Sequence, residues 1–204
     1  DDALRRALAL ALRAPSSFNA QPLALVAVRD AAARQELAAA MVGGNSARVL
    51  AAPISIVVAA ERDVMRRAAA LQRLEAKSGR LSEREVAALP LKLGAIQGAG
   101  GLEVVQLAKR VAAAAAPVPL PTLSSLEAWG FKAAGMAAQT LLLALAAEGL
   151  SSCPMEGLVD RAVRAAVHLP SSFSVAMVVA VGHAAAPTAR SPRHAPRHMV
   201  FEDA

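Results

Sequence analysis

Apolar residues recur every three to four positions at the start of the chain. Leu4, Ala7, Leu8 and Ala11 share one face, a spacing that predicts an amphipathic helix over residues 1–14. Pro15 stops it, and Pro15 to Pro22 has the chemistry of a loop. Leu23 to Val28 is a continuous apolar run of strand length, closed by Arg29 and Asp30. A helix is predicted over Ala31–Met41, broken at Gly43-Gly44-Asn45, with one or two further turns over Ser46–Ala51. Pro53 opens a second buried strand, Ile54–Val58, and a charged helix is expected from about Glu61 to Lys77. Ser82-Glu83-Arg84-Glu85 has the form of a capped helix start. The glycines from Gly94 to Gly101 follow no clear strand and lack dinucleotide spacing, so they read as a flexible connection. Residues 112–121 are alanine- and proline-rich joining material.

The strongest helical pattern covers Ser124–Glu148 and ends at Gly149. Ser151–Gly157 reads as a turn that leads into a helix from about Leu158 to His168. Val175–Val181 is a third strand, closed by Gly182, and residues 183–204 form a polar, proline-spaced arm. Strands alternating with helices, buried on both faces, predict a mixed α/β fold in one domain over residues 1–204.

Composition narrows the function. With 55% hydrophobic and 19% charged residues, the chain is suited to a packed core rather than a disordered segment. Alanine is about a quarter of it, and each buried alanine removes little apolar area, so extra burial from a second subunit or a cofactor is expected. One cysteine excludes a disulfide framework and a cysteine-built metal cluster, and fits a reducing compartment such as cytoplasm or organelle stroma. His194 and His198 sit among prolines, which argues against a helical metal pair, so no metal site is expected. The apolar stretch between Lys132 and Glu148 has 15 residues, short of the roughly 20 that cross a bilayer, and no charged-then-apolar leader opens the chain. A net charge of +6 with arginines near the C-terminus admits nucleic acid or an anionic surface, but stacking aromatics are nearly absent. A small phosphate is an equally economical partner for those arginines.

Four patches carry more specific chemistry: Ala14-Pro-Ser-Ser-Phe-Asn-Ala-Gln-Pro22; Asn45-Ser-Ala-Arg48; Trp129-Gly-Phe-Lys132 through the long helix to Ser152-Cys-Pro-Met-Glu-Gly-Leu158; and Arg190-Ser-Pro-Arg193. In this order and spacing the chain resembles the FMN-dependent nitroreductase family. The resemblance implies a mostly antiparallel sheet wrapped by helices, a homodimer with the flavin at its interface, and NAD(P)H as reductant. It implies a ping-pong cycle with nitroaromatics or quinones as acceptors, and no nucleic acid or membrane partner. Residues 78–123 fall where family members vary the cover over the flavin. A non-catalytic flavin-binding or interaction protein of the same fold is the alternative.

A reduced flavin carries negative charge on its pyrimidine end, so a cation and hydrogen-bond donors must face that edge. Asn45 and Arg48, at i and i+3 on one helical face, suit the task; Arg48 stands where the family usually has lysine. Alternatively Asn45 caps a short helix and Arg48 is a solvated charge. By resemblance the backbone of Glu156 and Gly157 donates to the flavin's reactive nitrogen, with Pro154 and Met155 packing beside the ring; an ordinary helix-starting turn is the plainer reading. Ser16, Ser17, Asn19 and Gln21 would reach the flavin of the partner subunit, or else satisfy their own turn. Arg190 and Arg193 would bind the FMN phosphate, or form a solvated tail. The family's opening Arg-Arg-Ser-x-Arg segment has no counterpart, since Arg5 and Arg6 lie on the first helix, and Leu23 replaces the aromatic that usually follows Gln-Pro.

Overall fold

Side chains alternate between two buried faces along β2 (Ile54–Glu61): Ile56, Val58 and Ala60 face one helical layer while Val57 faces another. The structure, a computed structural model, describes residues 2–101, 111, 125–186, 189 and 191–202. Its remaining elements are α1 (Asp2–Ala11), β1 (Leu23–Val28), α2 (Ala31–Ala39), α3 (Asn45–Ala51), α4 (Ala68–Ser78), α5 (Glu83–Gly101), α6 (Leu126–Ala147), β3 (Ser151–Met155), α7 (Asp160–Ala166) and β4 (Phe173–Gly182). Four antiparallel strands run in the order β1-β2-β4-β3, with a bulge between Val58 and Ala59.

On one face α1 and α6 pack around Leu4, Ala7, Leu141 and Leu145. On the other, α2, α3 and α7 pack around Leu37, Val49 and Val163. A third cluster, with Leu71, Leu93 and Trp129, joins α4 and α5 to the start of α6. Gly130 lets α6 approach β2, since a Cβ there would meet the Ala60 Cβ at 3.0 Å. A bidentate pair from Arg6 to Glu148, at 2.8 and 2.6 Å, ties α1 to the end of α6.

Four sequence expectations need correction. The second strand continues to Glu61, and the expected helix after it begins only at Ala68, behind a 3₁₀ turn over Val64–Arg67. Gly94–Gly101 belongs to α5, which also contains Pro90. Ser151–Met155 is a fourth strand, and the helix expected from Leu158 begins at Asp160. The edge position of β3 explains why Pro154 is tolerated there. Lastly, α6 runs for 22 residues and is long and apolar enough to span a bilayer by length and composition alone. Its buried face is instead spent on α4 and α5 at Trp129 and on α1 and the sheet from Ala134 to Leu145. The low-complexity segment 112–121 lies outside the described residues.

Candidate functional site

The tight turn that precedes α3 uses Gly43 at φ +62°, a conformation open to glycine, and delivers Asn45 as the first residue of the helix. Asn45 does not cap α3. Its Nδ2 donates instead to the Gly157 carbonyl at 3.1 Å, and its Oδ1 accepts from Arg48 Nη1 at 2.7 Å. The backbone N–H of Val42 donates to the same Gly157 carbonyl at 2.9 Å, and Met41 bridges Leu158. Two segments distant in sequence, 41–48 and 157–158, are thereby stitched into one patch. Gly157 is needed for that closeness, because a Cβ there would lie 2.8 Å from Asn45 Nδ2.

Glu156 and Gly157 are not in a helical first turn. They follow β3, and the ladder still leaves a free donor there. Pro154 pairs with Val179 but has no N–H, so the β3–β4 hydrogen bonds fall on Cys153 and Met155. The Glu156 N–H, one residue past the ladder, has no backbone acceptor among the described residues. Met155 is buried beneath, while Pro154, Glu156 and Gly157 are exposed. Arg48 is exposed and has no carboxylate partner among the described residues, so its charge is available. A cation, an amide and N–H groups around a close glycine suit the electron-rich edge of a flavin.

The loop carrying Ser16, Ser17, Asn19 and Gln21 is elsewhere. Phe18, Asn19 and Gln21 all have positive φ, near 50°, so the turn is sharply left-handed. Ser16 Oγ accepts from the Gln21 N–H at 2.9 Å, and Gln21 Nε2 donates to the carbonyl and Oδ1 of Asn19, both at 3.2 Å. Asn19 Nδ2 in turn donates to Glu75 at 2.7 Å. Ser17 is exposed within a 3₁₀ turn over Ser17–Asn19. This loop adjoins β1 and the Asn45 patch adjoins β3, so they lie about three strand spacings, roughly 14 Å, apart across the sheet. Arg193 is exposed on the arm and donates to the Pro192 carbonyl at 2.9 Å; Arg190 lies outside the described residues.

Beside the loop, between the end of α1 and helices α4 and α5, lies a cavity of about 720 Å³. Glu75 is buried in its wall, held by Arg80 at 2.6 and 3.1 Å. The Arg80 bond, then that of Asn19, keeps the Glu75 carboxyl below its ordinary pKa despite the opposing effect of burial. Sequence reading missed Glu75, Arg80, Arg13 and Lys92 at this cavity. Each is a common surface residue type, and only the fold brings them to the loop.

Residues 1–183 match the sequence profile of the Nitroreductase family. The chain belongs to that family. Two curated relatives are each 32% identical: an NADH dehydrogenase of Thermus thermophilus, over 89% of this chain and 76% of its own, and the protein DrgA of Synechocystis, over 84% and 68%. A nitroreductase family protein of Streptococcus pneumoniae has the same fold, with TM-score 0.77, 22% identity, and 98% and 88% of the two chains covered. A protein solved in complex with FMN from Exiguobacterium sibiricum has a TM-score of 0.76 at 20% identity, with 100% and 87% covered. The nitroreductase fold expected from the four patches is therefore the fold observed, with a wholly antiparallel sheet among the described strands.

Proposed function

We propose that this chain is an FMN-dependent oxidoreductase that takes a hydride from NAD(P)H and reduces small acceptors such as nitroaromatics or quinones. The observation that carries this reading is the patch in which Asn45 joins Arg48 to the Gly157 carbonyl, beside a Glu156 N–H without a backbone acceptor among the described residues. Bound FMN would supply the hydride-accepting and electron-donating chemistry. Arg48 would hold a cation against the flavin's pyrimidine edge, and Asn45 would fix that guanidinium through its 2.7 Å bond. The N–H groups of Glu156 and Gly157 would meet a ring nitrogen, with Pro154 and Met155 forming the floor. Arg193 and Arg190 would hold the phosphate. That the names of relatives include an NADH dehydrogenase, and that one similar structure was solved with FMN, supports the same reading.

Ser16, Ser17, Asn19 and Gln21 complete the site only if they come from a second copy, since their own copy holds them on the far edge of the sheet. We therefore include a homodimer in the proposal. Exposed apolar side chains at Leu143, Met199, Val200 and Phe201 offer surface for such a pairing to cover.

The full chain mixed with FMN should retain yellow absorbance through gel filtration. Anaerobic NADH or NADPH should bleach it, and a nitroaromatic should restore the colour. A chain that stays colourless overturns the proposal. Flavin that binds but is not bleached by either nicotinamide makes the protein a non-catalytic flavin binder and overturns the enzymatic reading.

A further inference from the structure

We infer that the cavity between the 12–21 loop, α4 and α5 selects ligands that join an aromatic ring to an anionic group, a carboxylate above all. This rests on the oxidoreductase reading and specifies the acceptor class of that site, because Ser16, Asn19 and Gln21 line the same cavity.

The first observation concerns Phe18. The chain has four phenylalanines, one tryptophan and no tyrosine, yet Phe18 is 46% exposed. It lines the cavity from a left-handed backbone conformation, φ 55°, that bulky side chains rarely adopt. An aromatic ring left 46% exposed in a left-handed turn at the cavity wall is available to stack on a ligand.

The second concerns charge. Arg13, Arg80 and Lys92 line the cavity together with Glu75 and Glu85. Both acids are engaged: Glu75 by Arg80 and Asn19, Glu85 by the backbone N–H and hydroxyl of Ser82 at 2.9 and 2.7 Å. Glu85 lies within electrostatic range of Lys92, but no ion pair joins them. Arg13 and Lys92 have no ion-pair partner among the described residues, and with three cations against two carboxylates the cavity lining carries a net positive charge. The Lys92 ammonium stands 5.9 Å from the Phe18 ring centroid, so cation and aromatic face act at one place. The cavity volume is that of a small-molecule site.

Calorimetric titration of the full chain, saturated with FMN, with 4-nitrobenzoate and with neutral 4-nitrobenzyl alcohol tests the inference. The anion should bind about tenfold more tightly, a preference that shrinks between about 50 and 500 mM salt. Lys92→Gln and Arg13→Gln should each lower the ratio of the two affinities, and the double variant should bring it near one. Phe18→Ala should weaken both ligands together. Equal affinities in the parent chain, or a preference that survives the double variant, overturns the inference. So does a double variant whose only loss is in NAD(P)H affinity, since the charge would then serve the reductant. Preferential binding of 4-nitrobenzoate by a chain that accepts no electrons from NAD(P)H upholds the anion pocket and overturns the enzymatic reading. Turnover of both acceptors with equal KM and equal affinity overturns the inference alone.

Discussion

Glu75 lies almost wholly inside the protein at the end of α4 and remains a carboxylate because Arg80 and Asn19 donate to it. Through Asn19 it also reaches Gln21, so one acid fixes the left-handed turn that carries four candidate site residues. Its pKa is lowered in the fold, so its stabilising contribution is full above the ordinary carboxylate value, about 4.3, and is lost as pH falls through the folded value. Replacing Glu75 with glutamine should cost about 1–3 kcal/mol at neutral pH. Circular dichroism melts at stepped pH should show the gap between parent and variant closing in acid, beneath about pH 4. A gap independent of pH would show that the charge of Glu75 contributes nothing. Glu85 and Glu148 are lowered too, first by Ser82 and by Arg6 respectively, so only the difference between the two proteins isolates Glu75.

Elements differ in how openly the sequence declares them. β1 matches its apolar run residue for residue, although as an edge strand it is fully buried only at its ends, Leu23 and Val28. α6 was equally plain, and Ser125 caps it by accepting from the Ala128 N–H at 3.0 Å. β3 was not. Two serines, a cysteine and a proline have no strand pattern, and only pairing with β4 makes them one. α5 was hidden by glycines and Pro90, whose weak propensity is overridden by packing of Leu89, Leu93 and Ile96 against α4 and Trp129. At the candidate site, the pairing of Asn45 with Arg48 followed from helical spacing, whereas their bond to Gly157 is a tertiary fact with no local signature. α6 also carries a clear energetic expectation. Leu141 is fully buried between α1 and the sheet, in a helix whose other inward residues are mostly alanine and glycine. Leu141→Ala should lose about 2–5 kcal/mol, read as a lower urea midpoint with an unchanged slope. A loss under about 0.5 kcal/mol would mean that α6 contributes little to the core.

At the scale of the whole molecule, the two halves of the proposed site adjoin opposite edge strands of one sheet, β1 and β3. If two copies complete each other, flavin retention must depend on protein concentration. Serial dilution of the flavin-loaded protein should raise free-FMN fluorescence over the same range in which sedimentation shows the mass halving. Flavin that stays bound to a particle of one-chain mass would count against the shared site. The positive net charge of +6 has no assigned role beyond the arginines near the site, and nothing in the fold explains its excess.

The proline in β3 has one more effect, on other chains. Every exposed sheet margin invites a stray extended peptide to zip onto it, and such zipping needs an unbroken row of donors. Pro154 interrupts that row beside the very amide that a flavin would use. The border therefore resists a polymerising neighbour without giving up the amide beside it.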